Sequence, residues 1–108
     1  MTWHETHERI RILRAVEAAA AVDMSGRLPW RETWAPYFGD PSGLLTALLA
    51  RWDRMSVAGL AELTTPEQVR ATERRLRRSN AGVLRILASH GLVGGADAPT
   101  ADPPLEAA

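Results

Sequence analysis

A helix start signal and a helix stop signal enclose the stretch between Thr65 and Gly91. Thr65 suits the N-cap, because its hydroxyl can accept a hydrogen bond from a free backbone N–H of the first turn, and Pro66 suits the first helical position. Gln68 stands three residues after Thr65, where a capping box needs it. Gly91 can adopt the left-handed backbone conformation that commonly ends a helix. This pattern predicts one continuous helix over about residues 66–90.

Two further stretches carry helix signals of the same kind. Apolar residues at helical spacing predict a first helix over about residues 3–22, which Ser25 and Gly26 would end. Asp40 as N-cap and Pro41 as first residue predict a second helix over about residues 41–63. The chain is therefore predicted to be all-α. It should form a small bundle of three main helices that pack antiparallel, because their connections are short.

The apolar faces of the three helices define the predicted core. Gly59 lies within the second face and predicts a close helix–helix contact or a kink, since glycine costs roughly 1 kcal/mol against alanine in a helix interior. Asn80 lies beside the third face, either as a boundary residue bonded to a loop or as a buried residue that fixes helix register. The residues predicted to be buried are Ile12, Leu13, Val16, Ala19 and Ala20; Leu44, Leu45, Leu48, Leu49, Trp52, Met55 and Leu63; and Val69, Leu76, Val83 and Leu87.

The segment between the first two helices, residues 27–40, is rich in aromatic side chains. Pro36 prevents a long helix here, whereas Thr33 could cap a single helical turn. Because aromatic side chains bury large areas, this connector is predicted to fold over the helix ends and complete the core. Its aromatic residues are Trp30, Trp34, Tyr37 and Phe38.

Composition divides the chain after residue 93. Residues 1–93 are predicted to form a single helical domain, and residues 94–108 a flexible, disordered tail of glycine, proline and acidic residues. The whole chain has 13 basic and 13 acidic residues. Three of the acidic residues lie in the tail, so the domain has a net charge of +3 (13 − 10) and the tail −3. The tail could therefore fold back onto a basic surface of the domain.

The chain contains neither cysteine nor lysine. The lack of cysteine excludes a disulfide framework, a thiolate zinc site and a cysteine nucleophile, and it fits a reducing compartment. Arginine as the sole basic residue, together with abundant alanine, indicates a high-GC bacterial genome, or else selection for bidentate contacts with anions. The apolar runs are too short for a membrane span and the first residues lack the apolar stretch of an export signal, so a cytoplasmic location is predicted.

The sequence contains no recognisable catalytic or metal-binding motif, and a non-catalytic protein without a cofactor is predicted. His4 and His7 are three residues apart, whereas the zinc-protease motif places its histidines four apart. There is no nucleophile elbow and no glycine-rich phosphate loop. A small-molecule or catalytic pocket lined by Trp30, Trp34 and Trp52 remains as an alternative.

The arginines of the last predicted helix are the strongest candidates for a function. A solvated basic face, an acidic protein partner, the chain's own tail and nucleic acid all fit such a surface. The pI of about 6.8 and the lack of aromatic residues on the same segment favour nucleic acid least. We predict an interaction module that binds an acidic protein or forms a homodimer; the alternative is a nucleic-acid-binding or transcription-associated regulator. The predicted binding residues are Arg70, Arg74, Arg77, Arg78, Arg85, Trp30 and Trp34.

Overall fold

The computed structural model describes residues 2–93, and all regular secondary structure in that range is helical. The helices are α1 (Trp3–Asp23), α2 (Ala35–Phe38), α3 (Pro41–Leu60), α4 (Pro66–Ser79) and α5 (Ala81–Ser89), and a 3₁₀ turn at Glu32–Trp34 leads into α2. The all-α prediction is confirmed. The predicted number of three main helices is not found, because two helices, α4 and α5, cover the range in which the sequence predicts a single last helix. The predicted flexible tail and its folding back concern residues 94–108, which lie outside the described residues.

None of the helices described here combines the length and the apolar character that crossing a lipid bilayer requires.

Both predicted N-caps are confirmed. The Asp40 carboxylate accepts a hydrogen bond from the backbone N–H of Gly43 at 2.9 Å, at the start of α3. At the start of α4, the Thr65 hydroxyl accepts from the N–H of Gln68 at 3.2 Å, and the Gln68 side chain accepts from the N–H of Thr65 at 3.3 Å. These contacts satisfy backbone donors that have no partner within the helix. They fix the first turn of each helix.

Replacing Thr65 with alanine should lower the free energy of unfolding by about 1 kcal/mol, because the cap hydroxyl leaves the Gln68 N–H without its partner. Urea denaturation measures the change as a shift in the midpoint at constant slope. Thr64→Ala is the matched control, since Thr64 contacts the same Gln68 side chain mainly through its backbone N–H. An equal effect of the two substitutions would contradict the capping role.

A break at Asn80 separates α4 from α5, so the prediction of a continuous helix over 66–90 is wrong. The backbone of Asn80 leaves the helical region, with φ −118° and ψ 22°. Its side-chain amide donates to the carbonyl oxygen of Leu76 at 2.9 Å. Asparagine side chains compete in this way with helix continuation. Asn80 is therefore a half-buried boundary residue, but its side chain bonds to the end of α4 and not to a loop as that alternative expected.

The break at Asn80 allows α5 to approach α1 closely. A Cβ placed on Gly82 would overlap the carbonyl group of Ala20 and would lie 2.9 Å from the backbone nitrogen of Ala21. Only glycine permits this contact between the two helices. The change of direction at Asn80 thus lets α5 pack on α1, which is the helix it contacts most extensively.

The prediction that the last helix ends at Gly91 is confirmed. Gly91 has a left-handed φ of +74°. The N–H of Gly91 donates to the carbonyl of Ala88 at 3.0 Å, and the N–H of Leu92 donates to that of Leu87 at 2.8 Å, which is a Schellman motif. At the other end of the chain, α1 closes one residue later than predicted, with Met24 in the left-handed region. α3 ends at Leu60, three residues before the predicted end.

The core is built by α1, α2, α3 and α5. Among the described residues of α4, only Thr72 is buried, and it lies outside the hydrophobic cluster. Val69 and Leu76 are half-buried, so the predicted apolar line is confirmed only for Val83 and Leu87. The buried hydrophobic residues are Ile12, Leu13, Val16, Ala20, Phe38, Leu44, Leu48, Trp52, Val83, Leu84, Ile86 and Leu87.

The close contact predicted at Gly59 joins α4 to α3. A Cβ on Gly59 would lie 3.1 Å from Cδ1 of Leu76. α3 continues through Gly59 as a regular helix up to Leu60. α4 is therefore attached to the C-terminal part of α3 and lies at the periphery of the core.

Two contacts of α1 show its direction relative to α3. The Arg9 guanidinium lies 4.5 Å from the ring centre of Phe38, just before α3 begins. Glu17 accepts a hydrogen bond from Arg51, in the middle of α3, at 2.5 Å. Later positions of α1 thus meet later positions of α3. The two helices run in the same general direction, and the prediction of antiparallel packing is wrong for this pair.

The aromatic connector makes this arrangement possible because it returns the chain along α1. Phe38 is buried, and Trp30, Trp34 and Tyr37 are half-buried against the hydrophobic cluster, which confirms that the connector completes the core. The short turn is present, but Thr33 does not cap it: the 3₁₀ turn and α2 begin without a side-chain cap.

Candidate interaction surfaces

α4 carries a row of exposed arginines, which we call the arginine row: Arg70, Arg74 and Arg78. Their i, i+4, i+8 spacing places the guanidinium groups along one helix face with a rise of about 6 Å between neighbours. Arg75 is exposed beside them. Within residues 2–93, none of these four guanidinium groups makes an ion pair or a hydrogen bond. The row therefore presents uncompensated positive charge to solvent.

The helix itself stabilises only the last member of the row. Arg78 lies in the last turn of α4, where a positive side chain interacts favourably with the helix dipole. Arg70 and Arg74 lie nearer the N-terminus, where the dipole does not favour them. Like charges at i, i+4 cost a few tenths of a kcal/mol per pair. The spacing of the arginine row therefore does not make α4 itself more stable.

Two of the predicted binding arginines lie apart from the row. Arg77 is half-buried and lines a cleft of about 270 Å³ between α3 and α4, together with Asp53 and Glu73. Arg85 is exposed but belongs to α5, on the other side of the break at Asn80. The structure thus brings together three of the five predicted arginines on one helix face.

The predicted aromatic residues Trp30 and Trp34 do lie together. Their rings meet edge to face with centroids 6.2 Å apart. The indole N–H of Trp30 donates to Glu32 Oε2 at 2.6 Å, and the Arg31 guanidinium lies 6.0 Å above the Trp34 ring. These contacts hold both indoles in fixed orientations at the surface of the connector.

The three tryptophans of the proposed shared pocket line different cavities. Trp34 lines a cleft between α1 and the connector, Trp30 lines a shallow depression that also contains His90, and Trp52 lines the α3–α4 cleft. The indoles are separated because Trp52 is buried under α4, whereas the other two lie on the connector. None of these three cavities of the described residues is lined by more than one of the three indoles, so they do not support the hypothesis of a shared pocket.

The cleft between α1 and the connector, which we call the α1–connector cleft, is a site that the sequence did not predict. It encloses about 550 Å³, within the range of small-ligand sites. Its connector wall carries aromatic and basic side chains, and its α1 wall combines the charged pair Glu8 and Arg11 with Ile12 and two alanines. One of these alanines, Ala19, was predicted to be buried and is exposed. The lining residues are Pro29, Arg31, Thr33, Trp34 and Tyr37 from the connector and Glu8, Arg11, Ile12, Ala15 and Ala19 from α1.

An ion pair forms one rim of this cleft. Arg11 donates two hydrogen bonds from Nε to the Glu8 carboxylate, at 3.1 and 3.2 Å, and one from Nη2 at 2.7 Å. The hydrogen bonding from Arg11 holds the pKa of Glu8 below its ordinary value. Both groups are therefore charged at neutral pH, and Glu8 fixes the position of the Arg11 guanidinium.

The side chain of His7 packs against a neighbouring aromatic ring. The His7 ring lies 3.9 Å from that of Trp3, measured between centroids. Across residues 2–93 the side chains of His, Asp and Glu form no group of three or more that could hold a metal ion.

Comparison with models of protein families, with curated proteins and with solved structures found no match to this chain.

Proposed function

We propose that this protein is a non-catalytic interaction module that binds an acidic protein partner through the arginine row of α4. The observation that carries the proposal is the uncompensated charge of the row: Arg70, Arg74 and Arg78 are exposed and have no anionic partner within residues 2–93. Arginine suits this role because its planar guanidinium can hold a carboxylate through two parallel hydrogen bonds.

The peripheral position of α4 supports the same proposal. α4 adds no buried residue to the hydrophobic cluster: Leu76 is half-buried against it and meets Gly59 of α3, and Glu73 and Arg77 line the cleft between α3 and α4. Its opposite face can therefore be covered by a partner without disturbing the core.

The spacing of the row favours a regular acidic surface. A partner helix with carboxylates four residues apart would offer anions at the same interval of about 6 Å. Such a partner would also relieve the repulsion between neighbouring arginines of the row. A second copy of this chain would present the same positive row, so an acidic partner is favoured over self-association through this face.

The test compares two triple variants in binding to a fluorescein-labelled 20-residue peptide with glutamate at every fourth position. Replacing the row (R70Q, R74Q and R78Q) should weaken binding about tenfold, since each exposed charge pair contributes up to about 1 kcal/mol. Fluorescence anisotropy measures the dissociation constant. The matched control is R14Q, R27Q and R54Q, which removes the same charge from exposed arginines elsewhere.

The outcome separates the candidate functions. Equal weakening in both variants would show a non-specific charge effect and would contradict the proposal. Failure of the wild-type chain to bind the peptide, together with binding of a 20-base-pair DNA duplex that weakens steeply with salt, would favour the nucleic-acid alternative instead.

A further inference from the structure

We propose that the α1–connector cleft binds the chain's own acidic, proline-containing segment, residues 97–106. The cleft is distinct from the arginine row: it lies between α1 and the connector, and none of its lining residues belongs to α4. The proposal rests on three matches between this cleft and that segment, which concern its lining, its charge and its distance along the chain.

The lining suits proline. Trp34 and Tyr37 present aromatic surfaces, and Pro29 adds a rigid apolar edge. Grooves lined by aromatic side chains are the usual binding surfaces for proline-rich segments, because proline favours an extended conformation that loses little entropy on binding. The segment has prolines at positions 99, 103 and 104. Alanines 15 and 19 leave room on the facing wall.

The charges are also complementary. Arg31 and Arg11 bring two exposed guanidinium groups to the cleft, and Glu8, which is paired with Arg11, brings one carboxylate, so the lining keeps a net charge of +1 that is carried by Arg31. The segment carries Asp97, Asp102 and Glu106 and no basic residue. Arg31 also stacks above the Trp34 ring, so a carboxylate that meets Arg31 would lie beside a proline that meets Trp34. One cleft can thus recognise the two residue types that alternate in the segment.

The connection to the domain begins near the connector. Val93 packs against the hydrophobic cluster just after α5. Nearby, His90 lines the same depression as Trp30, and the Trp30 ring meets the Trp34 ring at 6.2 Å. Pro99 is six positions after Val93, and a fully extended chain spans at most about 3.3–3.6 Å per residue, or about 20 Å over that length. His90, Trp30 and Trp34 place the end of α5 on the same side of the domain as the cleft, which is where this connection begins.

Attachment to the domain makes even a weak site effective. A segment on a short linker has an effective concentration in the millimolar range at its site. A cleft whose dissociation constant for this segment lies below the millimolar range would then be occupied mostly by residues 97–106. A separate ligand for the cleft would first have to displace them.

Disulfide trapping tests the proposal in the full-length chain, which has no cysteine of its own. In one variant, Thr33→Cys in the cleft is combined with Ala101→Cys in the segment. In the control variant, Ala71→Cys on α4 is combined with the same Ala101→Cys. Thr33 and Ala71 are both exposed, so neither change disturbs the core. The cleft pair should form its intramolecular disulfide about tenfold faster than the control pair, since bound ends meet at a higher effective concentration.

Two additional variants strengthen the test. Ala15→Cys with Ala101→Cys places the first thiol on the opposite wall of the cleft and should react as fast as the Thr33 pair. Adding Pro99→Ala, Pro103→Ala and Pro104→Ala to the Thr33 pair should slow its reaction to the rate of the control. Rates are followed by non-reducing electrophoresis, with circular dichroism as the check on folding.

Three results would overturn the proposal. The first is equal rates for the cleft and control pairs. The second is a faster reaction of the Ala71 pair, which would place the segment along α4. The third is a disulfide between two chains whose rate rises with protein concentration, which would assign the cleft to a second copy. Because the cleft shares no residue with the arginine row, these results leave the peptide-binding test of the row unaffected.

Discussion

Replacing Gly82 with alanine is expected to lower the free energy of unfolding by about 3 kcal/mol, at the upper end of the cost of overpacking. The added methyl group would overlap the backbone carbonyl of Ala20, and a helix backbone cannot rotate away as a side chain can. α5 would have to move off α1. That movement would open the contact between the two helices that pack most extensively, where Val16 and Leu84 are fully buried.

The effect of Gly82→Ala can be measured by thermal unfolding, with an expected decrease in Tm of about 15 °C for a domain of this size. Gly59→Ala is the matched control. Its new methyl would meet the end of the Leu76 side chain at 3.1 Å, which can shift, and alanine gains about 1 kcal/mol of helix propensity over glycine. We therefore expect Gly59→Ala to change Tm little. A stabilised Gly82→Ala variant would show that α1 and α5 are not in backbone contact.

Replacing Leu84 with alanine is expected to cost about 4 kcal/mol, because a fully buried leucine leaves a cavity in addition to the lost transfer free energy. The same change at Leu76, half-buried between α3 and α4, should cost about 1–2 kcal/mol. Chemical denaturation of the two variants gives the difference. The difference between the two losses of unfolding free energy shows how much α4 contributes to the hydrophobic core.

Val57→Ala serves as the surface reference for this pair. Val57 is 70% exposed on α3, and its truncation should alter the free energy of unfolding by less than about 0.5 kcal/mol. If Leu76→Ala destabilised the protein as much as Leu84→Ala, α4 would be an integral part of the core. That result would contradict the peripheral position on which the proposed function depends.

The local elements of this fold could be predicted from the sequence because their causes are local. The caps at Asp40 and Thr65 and the stop at Gly91 depend on residues within three or four positions of one another. The apolar spacing of α1 and α3 likewise identifies most of their buried residues. The connector was recognisable as part of the core because four large aromatic side chains in fourteen residues need burial.

The features that sequence reasoning missed depend on contacts between distant segments. Asn80 is a local signal for a break, because asparagine side chains compete with helix continuation, but the path that the chain takes after it depends on the contact of Gly82 with Ala20, about sixty residues earlier. The shared direction of α1 and α3 follows from the path of the connector along α1. The seventeen residues between α1 and α3 are enough to connect either parallel or antiparallel helices. Antiparallel packing was predicted because short loops were expected.

The candidate surfaces also divide into a part that follows from local sequence and a part that depends on contacts between distant segments. The i, i+4 spacing of Arg70, Arg74 and Arg78 predicted their common exposed face, because one regular helix carries all three. Arg85 was grouped with them only through the assumption of an unbroken helix. The α1–connector cleft needs residues from two segments that meet only in the folded chain. The signal that could have indicated it was the exposed alanine face of α1 together with an aromatic segment in need of a partner.

The separation of α4 from the core has a consequence for how this protein can change over generations. Substitutions that alter the charge of the exposed face of α4 cost almost nothing in folding free energy, because that face supports no buried residue. Affinity for a partner and stability of the fold can therefore vary independently. A chain built in this way can acquire a new partner by exchanging a few arginines while α1, α2, α3 and α5 stay the same.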